Sequence, residues 1–125
     1  MTTLRIGIAS FEEMKARTME VARGEHRVSR TEPKVWFVST ESFAKVLSAG
    51  NRELLRLIAE QSPGSLDELS RMTGRAKSNL SRTLKTMEGY GLVILERGDR
   101  GRIKPKVTHD RIELDLQLTQ PRKVG

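Results

Sequence analysis

Ten basic side chains lie in one short segment of the chain, and their charge and spacing suit them to binding a ligand. Only three acidic side chains accompany them between residues 71 and 106. This excess equals the formal charge of +7 of the whole 125-residue chain, so the remainder is balanced. Such a concentration favours salt-sensitive binding of a polyanion, with a merely solubilising basic face as the alternative. The ten are Arg71, Arg75, Lys77, Arg82, Lys85, Arg97, Arg100, Arg102, Lys104 and Lys106.

Residues for other kinds of chemistry are scarce. The chain has no cysteine, which excludes disulfides and thiol nucleophiles. His26 and His109 are far apart and have no pattern of metal ligands nearby, so we expect neither a metal nor a cofactor. His109 beside Asp110 is interpreted as a surface pair, and Glu12-Glu13 as a complement to a helix dipole. The chain is therefore not expected to be an enzyme.

Two strands and two helices are predicted in the first 48 residues. Apolar residues at period two predict a strand over 3–8, and β-branched and aromatic residues predict another over 35–38. A capping box opened by Ser10 predicts a helix that ends near Gly24, and a further helix is expected over 40–48. The first helix has an apolar stripe at helical spacing, formed by Phe11, Met14, Thr18 and Val21. This stripe is expected either to pack on the sheet of its own chain or to bind a second copy.

Three helices are predicted in the middle of the chain. Gly50-Asn51 is interpreted as the stop of one helix and the start of the next, which ends at Ser62-Pro63-Gly64. Ser65 then opens a short helix with a second capping box, and Thr73-Gly74 ends it. The last of the three is expected over 76–88, with Gly91 as its left-handed cap. The short helix is expected to turn three apolar side chains inward, Leu66, Leu69 and Met72.

The carboxyl-terminal third is predicted to be extended. Residues 92–96 and 102–107 are predicted to form a β-hairpin, because the glycines of Arg97–Gly101 suit a tight turn between two strands. Polar residues then alternate with four apolar ones, which predicts a final strand with one buried face: Ile112, Leu114, Leu116 and Leu118. The segment Gln120–Gly125 is expected to be a free tail.

The predicted helix 76–88 has two chemically different faces. At about 100° per residue, Leu80, Leu84 and Met87 cluster on one side. The opposite side carries groups that suit phosphates and base edges, since basic residues contact phosphate or guanine, asparagine contacts adenine, and serine allows close approach. The helix, short helix, Gly turn, longer helix and basic hairpin follow the order of a winged helix-turn-helix.

The run Leu66–Val93 (LDELSRMTGRAKSNLSRTLKTMEGYGLV) resembles the DNA-binding core of MarR/ArsR-type transcriptional regulators. The resemblance covers roughly residues 50 to 108 and depends on a Thr-Gly turn before a Ser-rich helix and on a Gly-Leu-Val exit into the wing. It implies that Lys77, Ser78, Asn79, Ser81 and Arg82 face the groove, and that Arg100 and Arg102 lie at the wing tip. Ala76 departs from the Ser or Thr that caps this helix in many relatives.

The sequence thus predicts an α+β fold, a winged helix-turn-helix core with an amino-terminal strand-helix-strand lead and a carboxyl-terminal strand. The boundaries expected are 1–39 for the lead, 40–108 for the DNA-binding domain and 109–125 for the final strand and tail. The predicted function is a sequence-specific double-stranded DNA-binding transcriptional repressor. Its predicted DNA contacts are Arg75, Lys77, Ser78, Asn79, Ser81, Arg82, Lys85, Arg97, Arg100, Arg102 and Lys104.

Several partners are consistent with these patterns. A homodimer that shares the terminal strands is expected, because paired half-sites on DNA are matched by two-fold proteins. The terminal strands also resemble those of small regulators that act as antitoxins, which would add a toxin protein as partner. A winged helix that binds RNA or only protein is the other alternative, although base-stacking aromatics are scarce. The longest apolar run, Leu92–Leu95, is too short to span a membrane, so we expect a cytoplasmic protein without membrane contact.

Overall fold

The two ends of the chain pair with each other in the computed structural model, which describes residues 2–24 and 32–119. The protein is of the mixed α+β class, as predicted. His26 and the predicted tail Gln120–Gly125 lie outside the described residues. In chain order the elements are β1 (Thr3–Ile8), α1 (Phe11–Ala22), β2 (Val35–Phe37), α2 (Thr40–Val46), α3 (Ala49–Gln61), α4 (Leu66–Thr73), α5 (Lys77–Gly89), β3 (Val93–Arg97), β4 (Ile103–Val107) and β5 (Arg111–Asp115).

The chain divides into two compact units, and the division differs from the three consecutive segments expected. The sheet unit contains Thr3–Phe43 together with Arg111–Gly125, and the helical unit contains Met1–Thr2 together with Ala44–Asp110. The amino-terminal lead and the final strand therefore belong to one unit. The cause is strand pairing between distant parts of the chain, which local patterns do not encode.

The sheet unit is built on three parallel strands in the order β2-β1-β5. In parallel pairs, residues in register face the same side of the sheet. One side therefore carries the apolar residues of all three strands, among which Leu4, Ile6 and Phe37 are buried. On the other side Gly7 lies beneath the ring of Trp36, and Arg17 of α1 lies over that ring at 5.2 Å from its centre.

Helix α1 begins as the sequence predicts. The Ser10 hydroxyl accepts a hydrogen bond from the backbone N–H of Glu13 at 3.2 Å, and the Glu13 carboxylate accepts one from the N–H of Ser10 at 3.3 Å. Gly24 follows the helix with a φ of +75°, a left-handed conformation that glycine adopts without strain. The apolar stripe of α1 is not covered in the described chain, since Phe11 is 79% exposed and Val21 37%.

Strand β5 is shorter than the alternating pattern predicts. It ends at Asp115, opposite Gly7 of β1, and the next two apolar residues lie beyond the strand. Leu114 is 41% exposed, Leu116 46% and Leu118 90%, and Ile112 is half-buried, so the prediction of a buried face is wrong for this segment. The strand stops near the end of β1 because β1 supplies its only described neighbour.

In the helical unit, α3 starts two residues earlier than Gly50-Asn51 suggests. Ser48 is its N-cap, and the Ser48 hydroxyl accepts a hydrogen bond from the N–H of Asn51 at 3.2 Å. The Ser48 hydroxyl satisfies a free N–H of the first turn, whereas the Asn51 side chain, at the predicted start, donates to the carbonyl oxygen of Val46 at 2.9 Å. At the other end Ser62 takes a left-handed conformation with φ of 45°, consistent with the predicted stop.

Helix α4 confirms one expected cap and corrects another detail. Ser65 accepts from the N–H of Glu68 at 3.1 Å, but the Glu68 carboxylate accepts from the N–H of Gly64 at 2.9 Å instead of from Ser65. Leu66 and Leu69 are buried as predicted. Met72 is 40% exposed, so its predicted inward position is wrong. The helix spans only Leu66–Thr73, and Met72, on its last turn, lines an open cleft with Leu54 and Leu57.

The core of the helical unit comes from all three helices and the strand that follows them. Helix α5 packs on α4 and on β3, while β4 packs on α3. The buried apolar residues of this unit are Leu47, Leu54, Ile58, Leu66, Leu69, Leu80, Leu84, Met87, Leu92 and Val93. Strands β3 and β4 form an antiparallel hairpin in which Val93 is opposite Val107 and Arg97 is opposite Ile103. None of the helices described is both long enough and apolar enough to cross a lipid bilayer.

Candidate nucleic-acid interface

Helix α5 has one buried face and one exposed face, in the register that the sequence predicts. Leu80, Leu84 and Met87 have no exposed surface, so packing fixes the rotation of the helix about its axis. The opposite side is exposed and consists of Ser78, Asn79, Arg82, Lys85 and Thr86, whereas Lys77 is exposed in the first turn on the side of Leu80 and Leu84. Ser81 is half-buried at the boundary between the two faces. Thr86 was not predicted, although its spacing of four residues from Arg82 places it on the same stripe.

Two cations on α5 are free to meet a ligand. Among the residues that the structure describes, none forms an ion pair or a side-chain hydrogen bond with Arg82 or Lys85, and the same holds for the Asn79 amide. A free surface cation keeps its full hydration and can exchange it for phosphate or base-edge contacts. This face therefore combines cationic, amide and small hydroxyl groups on a rigid helix.

The amino end of α5 lacks a side-chain cap, as the sequence indicates. Ala76 is the N-cap residue, with φ of −62° and ψ of 141°, and its methyl group accepts no hydrogen bond. First-turn N–H groups without an acceptor carry the positive end of the helix dipole. They can donate to an anion such as a phosphate oxygen.

Arg75 has a structural partner, which distinguishes it from the other predicted contacts. Its guanidinium donates to the side-chain oxygen of Asn51 on α3 at 3.1 Å, and the residue is half-buried. Its carbonyl oxygen accepts from the Ser70 hydroxyl at 2.7 Å. The turn between α4 and α5 is thereby attached to α3. Arg75 holds the position of α5, and its charge lies beside the first turn of α3.

Lys77 is exposed but has an acidic neighbour. Its ammonium group lies 3.2 Å from the carboxylate of Asp67 on α4. Both side chains are more than half exposed, so the pair contributes little to stability. Its greater effect is electrostatic, because Asp67 offsets one positive charge at the start of α5.

The hairpin presents three arginines in the open. Arg97, Arg100 and Arg102 are exposed, whereas Lys104 is half-buried. The strands are joined by a tight turn over Asp99–Gly101, in which the N–H of Arg102 donates to the carbonyl oxygen of Asp99 at 3.2 Å. Arg100 stands at its centre in a left-handed conformation with φ of 59°, followed by Gly101 with φ of +72°. The sequence predicted a tight turn from the glycines of Arg97–Gly101, and of the two left-handed positions in it one is Gly101 and the other is Arg100.

One face of the hairpin is partly neutralised. Glu96 is directly opposite Lys104, and its carboxylate lies 3.0 Å from the ammonium group of Lys106. Cross-strand pairs of opposite charge stabilise a hairpin and reduce the field that it projects. The free positive charge of the hairpin is therefore concentrated at the tip and not along the strands.

Arg71 is a further candidate contact, which is not among the contacts predicted from the sequence. A cleft of about 520 Å³ separates α4 from the hairpin, and both Arg71 and Arg102 line it together with Asp67 and Glu68. The sequence signal was present, because the basic segment begins at Arg71. The cleft brings cations from α4 and from the hairpin together although they are 31 positions apart in the chain (102 minus 71).

Two carboxylates offset the charge of Arg56 on α3. Arg56 is bonded to the carboxylate of Glu53 and lies 3.6 Å from that of Glu60. The hydrogen bond from Arg56 lowers the pKa of Glu53 and raises the pKa of Arg56, so both stay charged. These charges offset one another. In residues 2–24 and 32–119 no three acidic, histidine or cysteine side chains gather as a metal site requires.

The family comparison covers the helical unit and the strand after it. The family described as HVO_A0114 matches residues 46–114, which is more than half of the chain. No curated protein matches the chain. The matched residues run from α2 through the hairpin into β5, and they include every predicted contact.

Proposed function

We propose that this chain, which belongs to the HVO_A0114 family, is a sequence-specific double-stranded DNA-binding transcriptional repressor. In this proposal the helical unit is a winged helix-turn-helix of MarR/ArsR type. Helix α5 enters the major groove, and the hairpin contacts the backbone or the minor groove. The observation that carries the proposal is the free outward face of α5, on which Arg82, Lys85 and Asn79 have no partner in the described chain.

The chemistry of that face fits a duplex better than a general anion. A helix with its side chains is about 10 to 12 Å across, which matches the width of the major groove. Arginine and lysine donate to guanine or phosphate oxygens, and asparagine forms a paired bond with adenine. Ser78 leaves room for the backbone of α5 to approach the groove. A solubilising surface would not require this mixture of groups.

The hairpin supplies contacts that do not depend on base sequence. Arg100 lies at the centre of the turn and Arg102 directly follows it, and neither side chain has an ion-pair or hydrogen-bond partner in the described residues. Arginine in such a position binds phosphates or enters a narrow minor groove. The uncapped N–H groups at the start of α5 offer a further phosphate contact.

Duplex DNA is favoured over single-stranded RNA by composition. Proteins that bind single strands stack bases on exposed aromatic rings. Between residues 71 and 106 the one aromatic residue is Tyr90, which is half-buried behind the end of α5. Specific binding would use a homodimer, because one unit reads few base pairs and a two-fold protein matches an inverted repeat.

The test is selection of duplexes from a random-sequence library by the full chain, followed by anisotropy titrations. We expect one inverted-repeat sequence to be enriched and to bind about a thousandfold or more tighter than unrelated duplex at the same salt. An equal affinity for all duplexes, or tighter binding of single-stranded RNA, would contradict the proposal. For variants that lose one positive charge from α5, Lys15→Ala is the matched control, since Lys15 is an exposed cation on α1.

A further inference from the structure

Strand β5 has an unpaired outer edge. It is the last strand of the order β2-β1-β5, and β1 is its only partner in the described chain. The edge contains no proline and no bulge, which are common protections of edge strands. The opposite edge is different, because β2 has three residues and Pro33 precedes it closely. Backbone N–H and C=O groups along β5 are therefore available to another strand.

Apolar surface accompanies this edge. Leu114 faces the same side of the sheet as Leu4 and Ile6, which are buried, yet Leu114 is 41% exposed. Its exposure follows from its position on the last strand. A further strand laid beside β5 would cover it. Leu116, just beyond the strand, is exposed to a similar degree.

The other side of β5 carries charges in a pattern that complements itself. Arg111, Glu113 and Asp115 share that side, which also holds Arg5 of β1. Arg5 lies 3.1 Å from Glu113 and 3.5 Å from Asp115, whereas Arg111 is largely exposed and has only a 3.5 Å contact to Glu113. Along β5 in chain direction, the charge at the first residue, Arg111, is positive and the charge at the last residue, Asp115, is negative. A second copy running in the opposite direction presents negative then positive.

We propose that two copies of this chain pair antiparallel along β5, with Glu113 on the two-fold axis and Arg111 of each copy opposite Asp115 of the other. The three-stranded sheets then join into one of six strands. This inference rests on the homodimer of the proposed function and names the surface that forms it. It does not depend on DNA contact.

Strand length and charge together select this register. Centring on Glu113 sets all five residues of β5 opposite a β5 residue of the other copy, whereas centring one residue earlier or later pairs only three. Centred on Glu113, the pairing creates two Arg–Asp pairs and sets Ile112 opposite Leu114 twice. Centred one residue later, on Leu114, it sets Glu113 opposite Asp115 twice, and like charges directly opposite destabilise a sheet. In the chosen register the two Glu113 side chains meet on the axis, and each already has Arg5 as its partner. An antiparallel arrangement is also the one that a closed two-fold dimer requires.

A charge-exchange experiment tests the pairing in the absence of DNA. Arg111→Asp sets Asp opposite Asp, and Asp115→Lys sets Lys opposite Arg, so each variant alone should dissociate about tenfold or more readily than the native dimer in sedimentation velocity. Mixed in equal amounts, the two variants restore both opposite-charge pairs and should form a heterodimer. Native-like dimers of either variant alone, or no recovery on mixing, would overturn the proposal.

A cross-link keeps the proposal falsifiable if Asp115→Lys weakens the fold. The chain has no cysteine, so one introduced thiol reports one distance. Glu113→Cys should form a disulfide dimer on mild oxidation, because residues directly opposite lie within bonding range. Gln117→Cys is the matched control, since its two copies would be eight residues apart, roughly 27 Å. Equal cross-linking at both positions, or none at residue 113, would contradict the register. A monomeric native chain would overturn the proposal and leave the edge to a different protein.

Discussion

The guanidinium of Arg75 lies 3.1 Å from the side-chain oxygen of Asn51. This hydrogen bond joins the turn that precedes α5 to the first turn of α3. A methyl group on Gly50 would lie 3.2 Å from the same guanidinium, so the arginine is also closely packed there. A residue that sequence reasoning assigned to DNA contact therefore has a defined role in holding α5 in place.

We expect both Arg75→Ala and Asn51→Ala to lower the free energy of unfolding by about 1 to 2 kcal/mol, since each leaves a half-buried polar partner unsatisfied. The double variant should cost less than the sum of the two, by about 0.5 to 1 kcal/mol. Urea unfolding followed by circular dichroism measures all three. Fully additive losses would show that the two side chains do not interact.

Arg82→Ala should weaken operator binding by about 1 to 3 kcal/mol and leave the unfolding temperature nearly unchanged. The reason is that Arg82 is exposed and unpaired, so its removal takes away a ligand contact and no internal one. Anisotropy with the selected duplex measures the affinity, and Lys15→Ala serves as the charge control. If both variants bound equally well, Arg82 would not be a DNA contact. Lys85→Ala tests the same face one turn later.

The hairpin tip should contribute charge without sequence preference. Arg100→Asn combined with Arg102→Gln removes two cations, and asparagine tolerates the left-handed backbone at position 100. We expect weaker binding to all duplexes and a plot of log affinity against log salt that is shallower by roughly one to two units. A loss confined to one operator sequence would instead assign base reading to the hairpin.

Asp67→Asn should tighten binding to DNA of any sequence by a few-fold. The substitution removes a carboxylate that lies 3.2 Å from Lys77 and also lines the cleft with Arg71 and Arg102. Freed of this partner, Lys77 can neutralise a phosphate, which makes the salt dependence steeper by up to about one unit. Stability should change little, because the pair is exposed. Unchanged affinity and slope would place Lys77 away from the duplex.

Gly7→Ala should destabilise the sheet unit by about 1 to 3 kcal/mol, because a methyl group there would overlap the Trp36 ring. Trp36 is the one tryptophan in the chain, so its fluorescence reports this unit directly. Gly89→Ala is the matched control: Gly89 ends α5 in open space, and alanine favours helix there by about 0.4 to 1 kcal/mol. Equal stability of the two variants would contradict the packing described.

Local chemistry along the chain determined the elements and the faces of α5. The capping box at Ser10, the left-handed Gly91 and the spacing of Leu80, Leu84 and Met87 involve residues at most a few positions apart, and each was predicted from sequence. Helix caps and helix faces depend on neighbours within about one turn, so a sequence carries them explicitly. The concentration of basic charge between residues 71 and 106 was equally visible.

Only the tertiary structure decided which distant residues meet. Parallel pairing of β1 with β5 joins positions about 108 apart, as in the contact of Arg5 with Glu113, and no local pattern specifies such a pair. The bond of Arg75 to Asn51 and the ion pair of Lys77 with Asp67 are of the same kind. Periodicity reports that a side chain is on one face, whereas its partner there depends on how whole elements pack. For that reason the sequence indicated a basic surface, and the structure distinguished the cations that are free from those that hold the fold.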